Sequence, residues 1–168
     1  MADKPLQIIS GLPTEVEAKT TSAGAGDAGK IVALNGSGVI DATMMPPGIG
    51  ADAKTFTASE AIAAGDIVHI HDSSGAKVRK ADATTSGKPA VGFAQAAIAN
   101  GASGTVTFEG VLTGLSGLTI GAAYYLGTTA GTITATPPTG SGNTVQKIGT
   151  AISATELSFE PGDVYVRA

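Results

Sequence analysis

From residue 54 onward the sequence never sustains a helical apolar stripe. Short β-rich runs alternate with Gly, Asp, Ser and Pro at intervals of about ten residues. The 24 glycines and 8 prolines among 168 residues impose that rhythm. Glycine admits the positive φ of tight turns, and proline cannot donate to a ladder. Many short strands with frequent turns predict an all-β fold, a compact antiparallel sandwich or barrel. Strands are expected over residues 67–70, 77–80, 90–95, 105–111, 124–126, 132–136, 147–152, 156–159 and 164–167. A brief helix over 58–63, stopped at Gly65-Asp66, is the one helical expectation in this region.

The β-region repeats itself. Residues 62–70 align with 118–126, 77–81 with 132–136, 90–94 with 147–151, and 105–110 with 156–161. Each pair brings together strands of like pattern, so two similar meanders of about 50 residues are expected to build one domain over 54–168. Ahead of it, residues 1–29 carry Pro5, Pro13 and the run Ala23-Gly24-Ala25-Gly26-Asp27-Ala28-Gly29. They read as an extended N-terminal arm with a flexible joint. Residues 30–53 read as a small hairpin, Lys30 to Leu34 against Val39 to Asp41 around Asn35-Gly36-Ser37-Gly38. A linker, Pro46-Pro47-Gly48, follows it.

Composition limits what such a domain can do. Hydrophobic residues make up 42% of the chain, much of it alanine, and aromatics only 4%. A core so poor in bulky groups is thin, and thin domains often finish burying apolar surface by oligomerising. The net charge of −4 speaks against nucleic-acid binding, for which the densest basic stretch, Lys77, Arg79 and Lys80, is too short. The absence of cysteine removes disulfides, thiolate nucleophiles and Cys-type zinc sites. No run approaches the roughly 20 apolar residues of a membrane span, and no signal peptide is visible, so a cytoplasmic, membrane-free product is expected.

The chemical motifs do not add up to a catalyst. Gly24-Ala25-Gly26-Asp27-Ala28-Gly29 matches G-x-G-x-x-G, but no apolar strand precedes it and a strand rather than a helix follows. Ile31 stands where a P-loop needs Ser or Thr. His69 and His71 share one face of a strand, near Asp66 and Asp72, yet a metal site needs a third ligand that only a carboxylate could supply. The expectation is that both point into solvent while Val68 and Ile70 face inward. The serines lack a nucleophile elbow. Glu109 and Glu160 end matching strands, but a glycosidase pair without a single tryptophan platform is a poor reading. Asn35-Gly36-Ser37 fits a glycosylation sequon and is read as a turn. No catalytic residue, cofactor or metal is expected.

Gly29-Lys30-Ile31-Val32-Ala33-Leu34-Asn35-Gly36-Ser37-Gly38-Val39-Ile40-Asp41, followed by Met45-Pro46, resembles a segment near the N-termini of tailed-bacteriophage structural proteins. Gly65-Asp66-Ile67-Val68, Lys80-Ala81-Asp82-Ala83, Pro89-Ala90-Val91-Gly92-Phe93 and Tyr124-Tyr125-Leu126-Gly127 resemble the β-domain of phage capsid decoration (cement) and head- or tail-fibre proteins. So do Ile148-Gly149-Thr150-Ala151-Ile152-Ser153 and Phe159-Glu160-Pro161-Gly162. The resemblance implies a virion protein, assembled in the host cytoplasm. It would stand as a trimer on the outer capsid surface and tie neighbouring major capsid proteins together. The alternative it implies is a fibre component that recognises a host surface glycan, with Tyr124 and Tyr125 as a stacking platform. For the capsid role, the apolar residues of the arm and hairpin are the candidate contacts: Leu6, Ile8, Ile9, Leu12, Val16, Ile31, Val32, Leu34, Met44 and Met45.

Overall fold

A computed structural model describes residues 4–45, 52–85 and 87–168. The chain divides into two compact units, Met1–Gly50 and Ala51–Ala168. In the first, β1 (Leu6–Ile9) and β2 (Leu12–Glu15) form an antiparallel hairpin with Leu6 opposite Glu15 and Ile9 opposite Leu12. Ser10 and Gly11 turn it at φ 52° and 82°. Two successive positive φ values give the turn a twist that matches the flanking strands. This hairpin lies within the stretch expected to be an extended arm; Ser10-Gly11 is a weak turn signal in the sequence because Pro13 interrupts the apolar pattern beside it. Pro13 is tolerated because β2 has β1 on one side only.

The pairing expected around Asn35 is reduced to its turn. Asn35 Oδ1 accepts the amides of Ser37 (2.9 Å) and Val39 (3.2 Å). The Asn35 amide bonds the Val39 carbonyl at 2.8 Å, and no ladder extends from it among the described residues. Val32 instead forms a parallel bridge with Lys19. A short turn at Ala25–Asp27 is tied by the Asp27 carboxylate, which accepts the Ala23 amide at 2.7 Å and lies 3.6 Å from the Lys19 ammonium. Those contacts, the amide first, hold the Asp27 carboxyl below its ordinary pKa. A second turn, Ala42–Met44, is capped by the side chain of Asp41. The Pro46-Pro47-Gly48 linker lies outside the described residues.

The second unit is all-β. Its strands are β3 (Ala53–Ala58), β4 (Ile67–Asp72), β5 (Ala76–Lys80), β6 (Gly92–Phe93), β7 (Ser103–Thr107), β8 (Gly110–Leu112), β9 (Ala123–Leu126), β10 (Ile133–Thr134), β11 (Thr144–Ala151), β12 (Leu157–Phe159) and β13 (Val164–Val166). The first five close a barrel in the order β3-β5-β4-β6-β7. All its pairings are antiparallel except β3 with β5, where Thr57 and Ala58 run beside Lys77 and Val78. The others form a sheet ordered β10-β9-β11-β12-β8, with β13 on the first half of β11. The helix expected over 58–63 is absent. Its amides bond to residues far along the chain, Ser59 to Val78 of β5 (2.9 Å) and Ile62 to Ile98 in an isolated bridge (2.9 Å), so no helical ladder can form.

The two halves repeat strand for strand: β3, β4, β5, β6 and β7 correspond to β8, β9, β10, β11 and β12. Register shows this residue by residue. Ile70 pairs with Val78 as Leu126 pairs with Ile133, and Val68 pairs with Gly92 as Tyr124 pairs with Gly149. The Gly65 amide reaches the Ala94 carbonyl at 2.7 Å, and the Gly121 amide reaches Ala151 at 2.8 Å. One pairing is missing from the second half. No described residue of β8 pairs with β10, and a hollow of about 410 Å³ sits there, lined in part by Leu115, Ser116, Thr132 and Ile133.

Two apolar clusters fill this unit. Phe56, Ile62, Val68, Val78, Ile98 and Val106 pack inside the barrel. Ile67, Phe93, Leu112, Leu126, Ile148, Leu157 and Phe159 join the barrel's outer side to the second sheet. The Phe93 and Phe159 rings meet edge-on, 5.0 Å between centroids. The buried Gln146 amide stands in for a strand here. Its Oε1 accepts the Ala90 amide at 2.8 Å, and its Nε2 donates to the Ala90 carbonyl at 3.0 Å.

Candidate partner-binding surface

The first unit buries almost nothing. Its hairpin carries apolar side chains on both faces, with Leu6 68% and Ile8 72% exposed, and Ile9 and Leu12 exposed beside them. Val32, Leu34 and Met45 are also exposed, whereas Val16, Ile31 and Met44 are half-buried. Among the described residues of the unit, Ala18 alone reaches burial, at 8% exposed. A lone two-stranded hairpin is marginal in water. The ten candidate contacts therefore share one unit but not one burial state. Seven are open and three are partly covered by the local fold.

The histidine strand differs from expectation. His69 and His71 lie on one side of β4, opposite Arg79 and Lys77 of β5, but both are half-buried rather than solvated. His69 Nδ1 lies 2.8 Å from the Pro89 carbonyl, and since a carbonyl only accepts, Nδ1 carries the proton. Burial pushes both imidazoles below the ordinary value of 6.5. The Arg79 guanidinium adds to the effect on each, against the Pro89 bond that favours charge on His69. Among the described residues, no three His, Asp or Glu side chains are grouped to hold a metal ion. Glu109 and Glu160 flank the register pair of Gly110 with Phe159 and are exposed.

The tyrosines do not form a joint platform. Tyr124 is 6% exposed, and its hydroxyl accepts the Thr119 amide at 3.0 Å, which fixes the ring in the core. Strand alternation turns Tyr125 to the opposite face of β9, where it is half-buried. A site that sequence reading did not single out lies at β13. All three of its residues are exposed, Tyr165 to 64%, and the strand pairs on one edge only. The run Val164-Tyr165-Val166 was legible as a strand; its position at a sheet edge was not.

Each unit thus presents exposed apolar side chains of its own, Leu6 and Ile8 in the first and Tyr165 in the second. A family model described as phage cement protein matches residues 45–166, most of the second unit and little of the first. No curated protein matches the chain.

Proposed function

The chain belongs to the phage cement protein family, and from that premise, which makes it a structural protein of the virion capsid, we propose that it sits on the outer capsid surface as a trimer, made in the host cytoplasm, and stabilises contacts between major capsid proteins. The observation that carries the reading is the first unit, which holds Leu6, Ile8, Ile9 and Leu12 open to water with almost no core of its own. Residues 1–29 act in this proposal as the reaching arm, and 30–53 as the turn and linker that join it to the β-domain over 54–168. A strand whose outer edge is unpaired can extend a neighbour's sheet through main-chain hydrogen bonds, while the apolar side chains supply affinity. Repetition over a symmetric lattice multiplies modest single contacts. The family match begins at residue 45, so the proposed arm is a feature of this chain beyond the matched region.

Deleting residues 1–28 tests the arm. Binding of the truncated protein to purified capsids lacking it should fall to background, while the circular dichroism of the β-domain is kept. Undiminished saturation of the capsids would overturn the role given to the arm.

A further inference from the structure

We propose that a second copy of this chain docks its β13 corner, Asp163 and Tyr165, onto the outer face of the β4–β5 hairpin. The inference rests on the homo-oligomer reading above and names the surface that reading leaves open.

One side of the contact is cationic. Of the chain's ten Lys and Arg residues, four fall between residues 77 and 88. Cross-strand register sets Arg79 opposite His69 and Lys77 opposite His71 on the side facing away from Val68 and Val78. Neither Lys77 nor Arg79 joins an ion pair; those among the described residues are Lys19 with Asp27 and Lys80 with Asp66. The nearby acids are otherwise engaged: Asp72 accepts the Gly75 amide, and Glu60 accepts the Lys80 amide. His71 Nδ1 and Arg79 Nε are buried with no hydrogen-bond partner. Beside them lies a hollow of about 380 Å³ lined by Ile70, His71, Asp72, Gly75 and Ala76.

The other side is its complement. Tyr165 is opposite Val145 in register, while Val164 and Val166 face the side of the buried Gln146 and Thr144. Alternation therefore puts Asp163 and Tyr165 on the same outward face. Glu160 is exposed just before them, in a chain whose net charge is −4. An exposed tyrosine offers an aromatic anchor for a hollow, and a guanidinium beside its ring adds a cation–π attraction. Carboxylates meeting unpaired cations set the register and reject wrong partners. Each copy carries both patches, so the β13 corner of one copy meeting the β4–β5 face of the next, repeated head to tail, generates a ring where the rotation closes.

Light scattering of the full-length protein, with circular dichroism as the folding control, tests this. Lys77→Glu with Arg79→Glu should weaken self-association by about tenfold or more, and so should Glu160→Lys with Asp163→Lys, since even one lost unit of about 1.4 kcal/mol is tenfold. The chain carrying all four reversals should recover association, and Tyr165→Ala, at an exposed position, should weaken it without loss of fold. A wild-type protein that is monomeric would sink the homo-oligomer reading itself. An oligomer indifferent to the reversals, or one that the fourfold swap does not restore, would overturn this interface alone.

Discussion

Protonating His69 or His71 opposes burial and adds positive charge beside Arg79, which is why both titrate below 6.5 in the folded chain. In the unfolded chain each binds its proton near the ordinary value, so between the two values the unfolded state holds more protons and stability rises with pH. The contribution is whole above about pH 6.5 and is lost as pH falls through the lowered values. The melting temperature should therefore drop between pH 7 and pH 5, and His69→Gln with His71→Gln should flatten that slope; equal slopes in both proteins would dismiss the account. Gly149 makes a separate residue-level claim. A Cβ there would strike the Ser158 carbonyl oxygen, which a backbone cannot easily yield, whereas one at Gly36 would meet open space. Gly149→Ala should cost about 1–3 kcal/mol in urea denaturation and Gly36→Ala close to nothing. The sequence showed a glycine at 149 aligned with Gly92; that both let a neighbouring strand approach was hidden until pairing brought β12 and β7 beside them.

At the level of elements, the nine strands from residue 67 onward were readable because Gly, Asp, Ser and Pro punctuate short β-rich runs, and a turn writes itself into sequence more plainly than the burial that separates a core strand such as β12 from the exposed β13. The internal repeat was readable for the same reason, and the matched registers of β4 with β5 and β9 with β10 account for it. What failed was local pattern where tertiary pairing decides. β3 is Ala-Lys-Thr-Phe-Thr-Ala with only Phe56 bulky inside, and its tail into alanines mimicked a helix. The expected single strand over 105–111 splits at Phe108-Glu109 because β7 serves the barrel and β8 the second sheet. Gln146 is the least legible link, a polar residue in a buried stretch that replaces a strand pairing with its own amide. Gln146→Leu leaves both the amide and the carbonyl of Ala90 without those bonds. It should cost about 2–4 kcal/mol in urea denaturation. A change within a few tenths of a kcal/mol would mean that the side chain fills space rather than joins the two halves.

At the level of the whole molecule, the scarcity of bulky apolar residues is distributed very unevenly. The second unit gathers most of its own into two clusters, leaving Val111, Ile120, Ile152 and β13 exposed, while the first leaves most of its own in water. The sequence shows which segments hold the bulky apolar residues, but exposure is a property of what else is nearby, which no single segment records. A unit with so little burial has little to oppose local opening, since opening free energy follows buried contacts. Amide exchange should separate the two accordingly. In the free protein the amides of β1 and β2 should exchange close to the rate of unstructured chain, while those of β11, paired on both sides at Gly149 and Thr150, should exchange only through global unfolding. On the capsid, the β1 and β2 amides should slow by about tenfold or more if partner contact supplies even about 1.4 kcal/mol against opening. Slow exchange there in the free protein would mean that the hairpin is already held, and the apolar surface would then need a role other than meeting a partner.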